Sequence, residues 1–318
     1  MSIEARKWAW AFERLGLDVR WIAGDGDGLD VVVRGLSLDA TAPVSADEVR
    51  AAVDGCDVVV VENLLSLPLN VAALRAVAEA LRGRPTIVHH HDLPWQRERF
   101  AGAPPPPADV AWRHVTINRL NARELRARAG IDAVTIYNHF ERPAVSGERP
   151  AFAFDRPLLL HPTRAIPRKN VPAAIRLAEA VGGTYWLLGP PEDGYEAELE
   201  SLLRSTEVPV LRGGGSIGDA YDQCDLVVYP STWEGFGNPT IESALVRKPL
   251  AVGSYPVLDE LRAFGFRWFD AERDVDEIRR FLADPDVGLL DANESIAREH
   301  FALERLPDAL RPVLEQVL

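Results

Sequence analysis

Tyr229-Pro-Ser-Thr-Trp-Glu-Gly-Phe-Gly-Asn-Pro-Thr-Ile-Glu242 decides how this chain reads. It follows an apolar run, Asp225-Leu-Val-Val-Tyr229, that reads as a buried strand. It leads into Pro239-Thr-Ile-Glu-Ser-Ala-Leu-Val246, which reads as a helix with proline in its first turn. The loop between them carries Gly235 and Gly237. A strand, a glycine loop and a helix start together make an anion site. Free backbone N–H groups and the helix dipole point at whatever docks there. Glu234 and Glu242 flank the site eight positions apart. Carboxylates repel phosphate, so these two need a different partner, and sugar hydroxyls suit them. The plain alternative is an ordinary strand-to-helix turn with surface glutamates.

The pattern resembles the E-x₇-E signature of retaining nucleotide-sugar glycosyltransferases with the GT-B fold, in particular glycosyltransferase family 4. The resemblance implies an α/β chain of two Rossmann-like domains whose parallel sheets face a central cleft. It implies that Glu234 lies beside the donor sugar and Glu242 on the ribose of the nucleotide. The backbone of Gly235, Phe236, Gly237 and Asn238, with Pro239 opening the helix, would then hold diphosphate and sugar. Leu211 and Arg212 stand where the family's backbone meets the nucleobase.

The gross composition agrees with such a chain. A length of 318 residues suits two domains, and an apolar content of 47% suits sizeable cores. The net charge of −13 argues against nucleic acid as a partner and against membrane adhesion by bulk charge. No apolar run approaches the ~20 residues that span a bilayer. The start, Met1-Ser-Ile-Glu-Ala-Arg-Lys, lacks the apolar core of a signal peptide. The two cysteines, Cys56 and Cys224, suit a reducing compartment, so a cytoplasmic protein is expected. Each precedes an Asp and an apolar run, where a buried packing role is expected.

Strand-like runs alternate with helical segments along the chain, the pattern of parallel βα units. In the first half, helices are expected over about Ile3 to Leu15, after Ser45 with Glu48 completing a capping box, and over about Leu69 to Leu81. Strands are expected at Asp18–Ile22, Asp30–Val33, Asp57–Val61, Pro85–His89 and His114–Ile117. A helix ending at Gly130 and a strand at Ala133–Tyr137 close this half. The segment Asn138 to Arg156, rich in Pro, Glu, Arg and Ser, reads as a linker. The expected division is residues 1–145 for an acceptor-side domain and 146–295 for a donor-binding domain. Residues 296–318 would return to the first domain, with a break near Pro307. Family members open with a strand and a glycine-rich loop before the first helix. This chain opens inside that helix, so strand and loop read as missing.

Other residues carry candidate chemistry. Arg164 and Lys169 lie after the first strand of the second half, ahead of Asn170, which can cap the next helix. Two cations there suit a diphosphate leaving group, and the resemblance gives them that role; a solvated basic loop is the alternative. Arg168 reads as a bystander. The family usually has Gly where His161 stands. His89-His-His-Asp92 ends a strand at the carboxyl edge of the first sheet, where α/β sheets bind ligands. Neighbouring strand residues point to opposite faces, so three successive His cannot converge on one ion, and no metal site is expected. The resemblance assigns His91 a contact with the donor sugar, with His90 as fallback. Asp92 and Trp95 are acceptor-site candidates, as are Glu62 and Asn63 by the same edge rule. Arg119, Arg123, Arg126 and Arg128 form a basic helix face, read as solvated, with a phospholipid contact as the alternative.

The expected reaction is transfer of a hexose from a nucleotide diphosphate sugar, of UDP-glucose or GDP-mannose type, to a small-molecule or glycan hydroxyl. The resemblance supplies retention and implies no metal or other cofactor. The alternatives are a sugar epimerase or phosphorylase of the same fold, and a donor-binding pseudoenzyme or scaffold subunit. The wording around Tyr255-Pro-Val-Leu-Asp-Glu260 resembles a branch that acts on soluble acceptors such as glycerate-type glucosides, although many relatives have a glycine pair there.

Overall fold

The structure is a computed structural model that describes residues 3–147 and 154–318. It divides into two compact units, Met1–His139 with Leu303–Leu318, and Phe140–Ala302.

The first unit runs α1 (Ile3–Arg14), β1 (Ile22–Ala23), β2 (Val31–Val32), α2 (Ala46–Ala52), β3 (Val59–Glu62), α3 (Val71–Ala80), β4 (Thr86–His90), β5 (Trp112–Thr116), α4 (Arg119–Ala129) and β6 (Ala133–Thr135). Strands β3, β4, β5 and β6 form a parallel sheet in that order, while β1 and β2 pair separately. The expected strands at Asp18–Ile22 and Asp30–Val33 shorten to two residues each. The capping box at α2 forms, with Ser45 Oγ accepting from the Glu48 amide. Gly130 ends α4 in a left-handed conformation that costs glycine nothing.

The second unit runs β7 (Leu158–His161), α5 (Val171–Val181), β8 (Thr184–Leu187), α6 (Glu196–Ser205), β9 (Val210–Arg212), α7 (Ile217–Gln223), β10 (Leu226–Tyr229), α8 (Pro239–Leu245), β11 (Leu250–Val252), α9 (Pro256–Arg262), β12 (Phe269–Asp270), α10 (Val275–Ala283) and α11 (Val287–Phe301). Its sheet is parallel, in the order β12-β11-β10-β7-β8-β9. The chain therefore builds outward from β7 in one direction, then restarts at β10 and builds in the other. The loops after β7 and β10 diverge at this switch point and leave a crevice at the carboxyl edge. Strands β7, β8 and β10 are buried on both faces, which explains their unbroken apolar runs.

The final helix α12 (Leu306–Val317) belongs to the first unit. Leu306, Leu310, Val313, Leu314 and Val317 make one apolar stripe that packs with Trp8, Phe12, Ile87 and Val115. Each such side chain contributes roughly 1.5–3 kcal/mol on burial.

Two expected boundaries are corrected. The chain returns to the first unit at Leu303, not at 296, because α11 packs on α8 and stays with the second unit. The break falls at extended Ala302; Pro307 sits in the first turn of α12, where its missing N–H costs nothing. The expected linker is also not free at its start. Phe140 donates its amide to Phe301, and the Ser146 and Gly147 amides bond to Asp219, so the second unit begins at Phe140 rather than 146. Its stretch 148–153 lies outside the described residues. Among the described residues, no helix is long and apolar enough to cross a membrane.

Gly218 gives a test of this packing. A Cβ on it would stand 1.8 Å from the Ala144 carbonyl oxygen. Alanine favours a helix over glycine by up to ~1 kcal/mol, but an overlap with backbone outweighs that. Gly218→Ala should therefore lower unfolding free energy by about 1–3 kcal/mol, read from the urea midpoint.

Candidate active site

The crevice at the switch point receives two loops. The loop after β7 ends in a short 3₁₀ turn, Pro167–Lys169, and Asn170 then caps α5 from a left-handed conformation (φ 54°). The loop after β10 carries Glu234 and the two glycines. The two loops meet through charge. Lys169 Nζ donates to Glu234 Oε1 at 2.6 Å, and Arg168 Nη1 donates to Glu234 Oε2 at 2.7 Å. Arg168 also donates to the Trp233 carbonyl at 2.8 Å, and Lys169 to the Tyr229 hydroxyl at 2.8 Å. The ammonium lies 4.7 Å from the Tyr229 ring centre, a cation–π position.

Burial and charge compete here. Burial pushes the Glu234 carboxyl up, but Lys169 and Arg168 outweigh it and hold it below its ordinary value. Burial pushes the Lys169 ammonium down to about 8, against the pull of Glu234. Burial, helped by Lys169, pushes His161 down to about 3, so it is neutral; its Nδ1 pairs with the Tyr185 hydroxyl at 2.8 Å.

Glu242 stands in the first turn of α8, where the Tyr221 hydroxyl donates to it at 2.9 Å. The expectation of free amides at that helix start needs correction. The Thr240, Ile241 and Glu242 amides bond back to the Gly237 and Asn238 carbonyls, and Pro239 has none. The tight turn uses its own donors. Gly237 is required twice: its φ is +92°, and a Cβ would lie 2.4 Å from the Tyr255 hydroxyl. That hydroxyl is buried without a partner among the described residues. Phe236 is core, packed on Phe140 and Phe301, so only its backbone can serve a ligand.

Arg164 is drawn away, pairing with Glu192 at 2.6 Å with both side chains about half exposed. The residue read as a bystander, Arg168, takes the place beside Glu234. Leu211 and Arg212 end β9, and Arg212 pairs with Glu200 at 2.5 Å.

In the first unit, β3 and β4 pair Glu62 with His89. His89 Nδ1 and His91 Nε2 both lie 3.0 Å from Glu62 Oε2, and 3.3 Å from each other. His90 faces the other way, to Ser66 at 2.7 Å and His114 at 2.9 Å. Alternation thus separates His90 and leaves the other two together. Burial pushes the Glu62 carboxyl up, but His89 and His91 outweigh it and hold it down to about 2. Asn63, at φ 56°, accepts the His91 amide at 3.0 Å. Asp92 pairs with Arg97 at 2.9 Å, and Trp95 Nε1 donates to Glu124 at 2.8 Å. A cavity of about 180 Å³, lined by Glu62, Asn63, Leu36, Leu64 and Leu67 among others, opens beside Glu62.

Comparison with known proteins now bears on this geometry. A mannosylglucosylglycerate synthase of Thermotoga maritima is 26% identical, the match covering 80% of this chain and 75% of that protein. A protein of the same name from Petrotoga mobilis is also 26% identical, over 63% of this chain and 60% of its own. HepE of Anabaena, solved with UDP and glucose, superposes with a TM-score of 0.64 at 18% identity, covering 85% of this chain and 81% of that one. Sucrose-phosphate synthase of Thermosynechococcus elongatus gives 0.73 at 15% identity, over 99% and 92% of the two chains. The fold is GT-B. No family model matches the chain. Together these relatives support a nucleotide-sugar glycosyltransferase.

The buried pair sets a prediction. Glu234 and Lys169 side chains are 7% and 8% exposed. Lys169→Met leaves Glu234 with Arg168 alone and should cost about 3–5 kcal/mol in urea unfolding. Adding Glu234→Gln removes the uncompensated charge and should recover a good part of that loss.

Proposed function

We propose that this chain moves a hexose from a nucleotide diphosphate sugar to an acceptor hydroxyl with retention at the anomeric carbon. The observation that carries the reading is the buried Glu234, held by Lys169 and Arg168 over a glycine loop, eight positions before Glu242.

In this reading Glu242 binds the ribose. The Gly235 to Asn238 backbone, Lys169 and the nearby Arg164 and Arg168 hold the diphosphate, while Leu211 and Arg212 meet the base. Glu234 orients the sugar. A carboxylate already holding two cations is a poor general base, because its proton affinity is low. The leaving diphosphate oxygen is the better base: the anomeric carbon loses that oxygen and gains the acceptor oxygen on the same face. The acceptor proton passes to the departing diphosphate. Protein cations stabilise that charge, so the donor site works without a metal. The donor is of UDP-glucose or GDP-mannose type. The cavity beside Glu62 and Asn63 holds the acceptor, with Asp92 and Trp95 as further acceptor candidates. A soluble glycerate-type glycoside suits that reading, given the names of the sequence relatives.

Thermal stabilisation by UDP, GDP and ADP and their sugar conjugates tests the donor site. One nucleotide should stabilise the chain by about 2.7 kcal/mol at 100 Kd, equally with EDTA present, and not in Glu242→Ala. No shift with any of them would leave the scaffold reading in the lead. The anomeric configuration of product by NMR tests retention.

The pH dependence has a definite sign. Donor binding needs Lys169 charged, so affinity should fall as pH rises through about 8. Stability of the free chain should move the other way between about 8 and 10.5. There the unfolded state binds more protons at this lysine than the folded state does. Nucleotide titrations and urea melts at pH 7 and 9.5 read both slopes.

A further inference from the structure

The cluster at the end of β3 and β4 has a property that the transfer reaction does not use. Glu62 Oε2, His89 Nδ1 and His91 Nε2 form a triangle with sides of 3.0, 3.0 and 3.3 Å. Glu62 is a carboxylate and can only accept. If both nitrogens carry hydrogens, two N–H groups oppose each other across the 3.3 Å side. If only His89 carries one there, a lone pair of His91 faces a carboxylate lone pair. If only His91 does, His89 faces Glu62 in the same way. With neither, all three sides are mismatched. With both nitrogens protonated, Glu62 accepts two hydrogen bonds and only the nitrogen–nitrogen side lacks one. A cation inside the triangle turns all three lone pairs into favourable contacts at once.

The dimensions suit one. The triangle's centre lies about 1.8 Å from each corner, so an ion bonded at ~2.1 Å sits about 1 Å out of the plane. All three atoms then lie within reach of one ion. Two imidazoles and a carboxylate are a donor set for zinc and similar first-row divalent ions, with further positions left open. The ligands are also pre-set. The β3–β4 register fixes Glu62 opposite His89, and Asn63 fixes the His91 backbone. Trp8 stacks on the His89 ring at 4.0 Å and covers one side. The Glu62 and His91 side chains keep 23% and 22% of their surface exposed, so the open positions face outward. His89 Nε2 has no partner among the described residues, and with Nδ1 on an ion it carries the ring hydrogen.

We infer that Glu62, His89 and His91 form a binding site for one divalent transition-metal ion of the zinc class. The site lies wholly within the first unit and does not depend on the donor chemistry of the second.

The test uses the whole chain, stripped with EDTA and freed of chelator, then titrated with Zn²⁺ alone by calorimetry, with bound metal counted by elemental analysis. One ion per chain is expected. Glu62→Gln and His91→Ala should each weaken binding roughly 100-fold or more, since even indirect partners of such ligands are worth 10–100-fold. His300→Ala, on α11 of the second unit, should leave it unchanged. Zinc-edge absorption of the wild-type complex should show two imidazole ligands, a readout that holds even if a variant fails to fold. Absence of retained metal, binding indifferent to Glu62 and His91, or a zinc shell without imidazole would overturn the assignment.

Discussion

A buried carboxylate keeps its charge only if something answers it, and in the second unit the answer is Lys169 and Arg168. Their contacts with Glu234 tie the loop after β7 to the loop after β10 across the switch point of the sheet. Those loops leave the sheet toward opposite sides, and the Thr232 amide, donating to the Arg168 carbonyl at 2.9 Å, joins them as well. The ion pairs fix the width of the crevice and the direction of Glu234 together. The Tyr229 hydroxyl below Lys169 and the Tyr255 hydroxyl above Gly237 then limit where the loop can run. Such an arrangement contributes more to geometry than to stability, because desolvating three charges offsets most of their attraction.

The same accounting explains why Arg164 stands apart. An exposed arginine near an exposed glutamate gains little from either partner, so Arg164 with Glu192 is a loose pair. It can turn toward an incoming anion at small cost. Lys169 and Arg168 cannot leave Glu234 without uncovering a buried charge. The loop thus offers fixed cations beside Glu234 and a movable one further out.

Much of the fold was legible in the sequence because its physics is local. The capping box at Ser45, Gly130 after α4, and the apolar runs of β7, β8 and β10 each signal themselves within a few residues. The Glu234 loop was legible for the same reason, since strand, glycines and helix start adjoin. Longer-range facts were not. Nothing near Arg168 shows that it, rather than Arg164, reaches Glu234; that depends on the direction of a 3₁₀ turn. Nothing near Tyr255 shows that its hydroxyl lies over Gly237. The place of α11 was misread because its tie to α8 is tertiary, and the proline near the break was taken as its cause. For the His run, the period of a strand correctly excludes three ligands together. It leaves open two, at i and i+2, and the third ligand came from a neighbouring strand through the Glu62–His89 register.

The two acidic clusters differ in how they can be satisfied. Glu234 faces an ammonium and a guanidinium, donors at every protonation state relevant near neutral pH, so each of its oxygens holds a donor. Glu62 faces two imidazoles, each of which can present either a hydrogen or a lone pair at the same place. A cation on each oxygen makes the first cluster rigid. In the second, the two nitrogens lie 3.3 Å apart, and the surrounding fold holds them there. Pairing of β3 with β4, the Trp8 ring and the Asn63 side chain supply that enforcement. A fold that holds three ligand atoms within reach of one point lowers the cost of ordering them around an ion, because that ordering is already done.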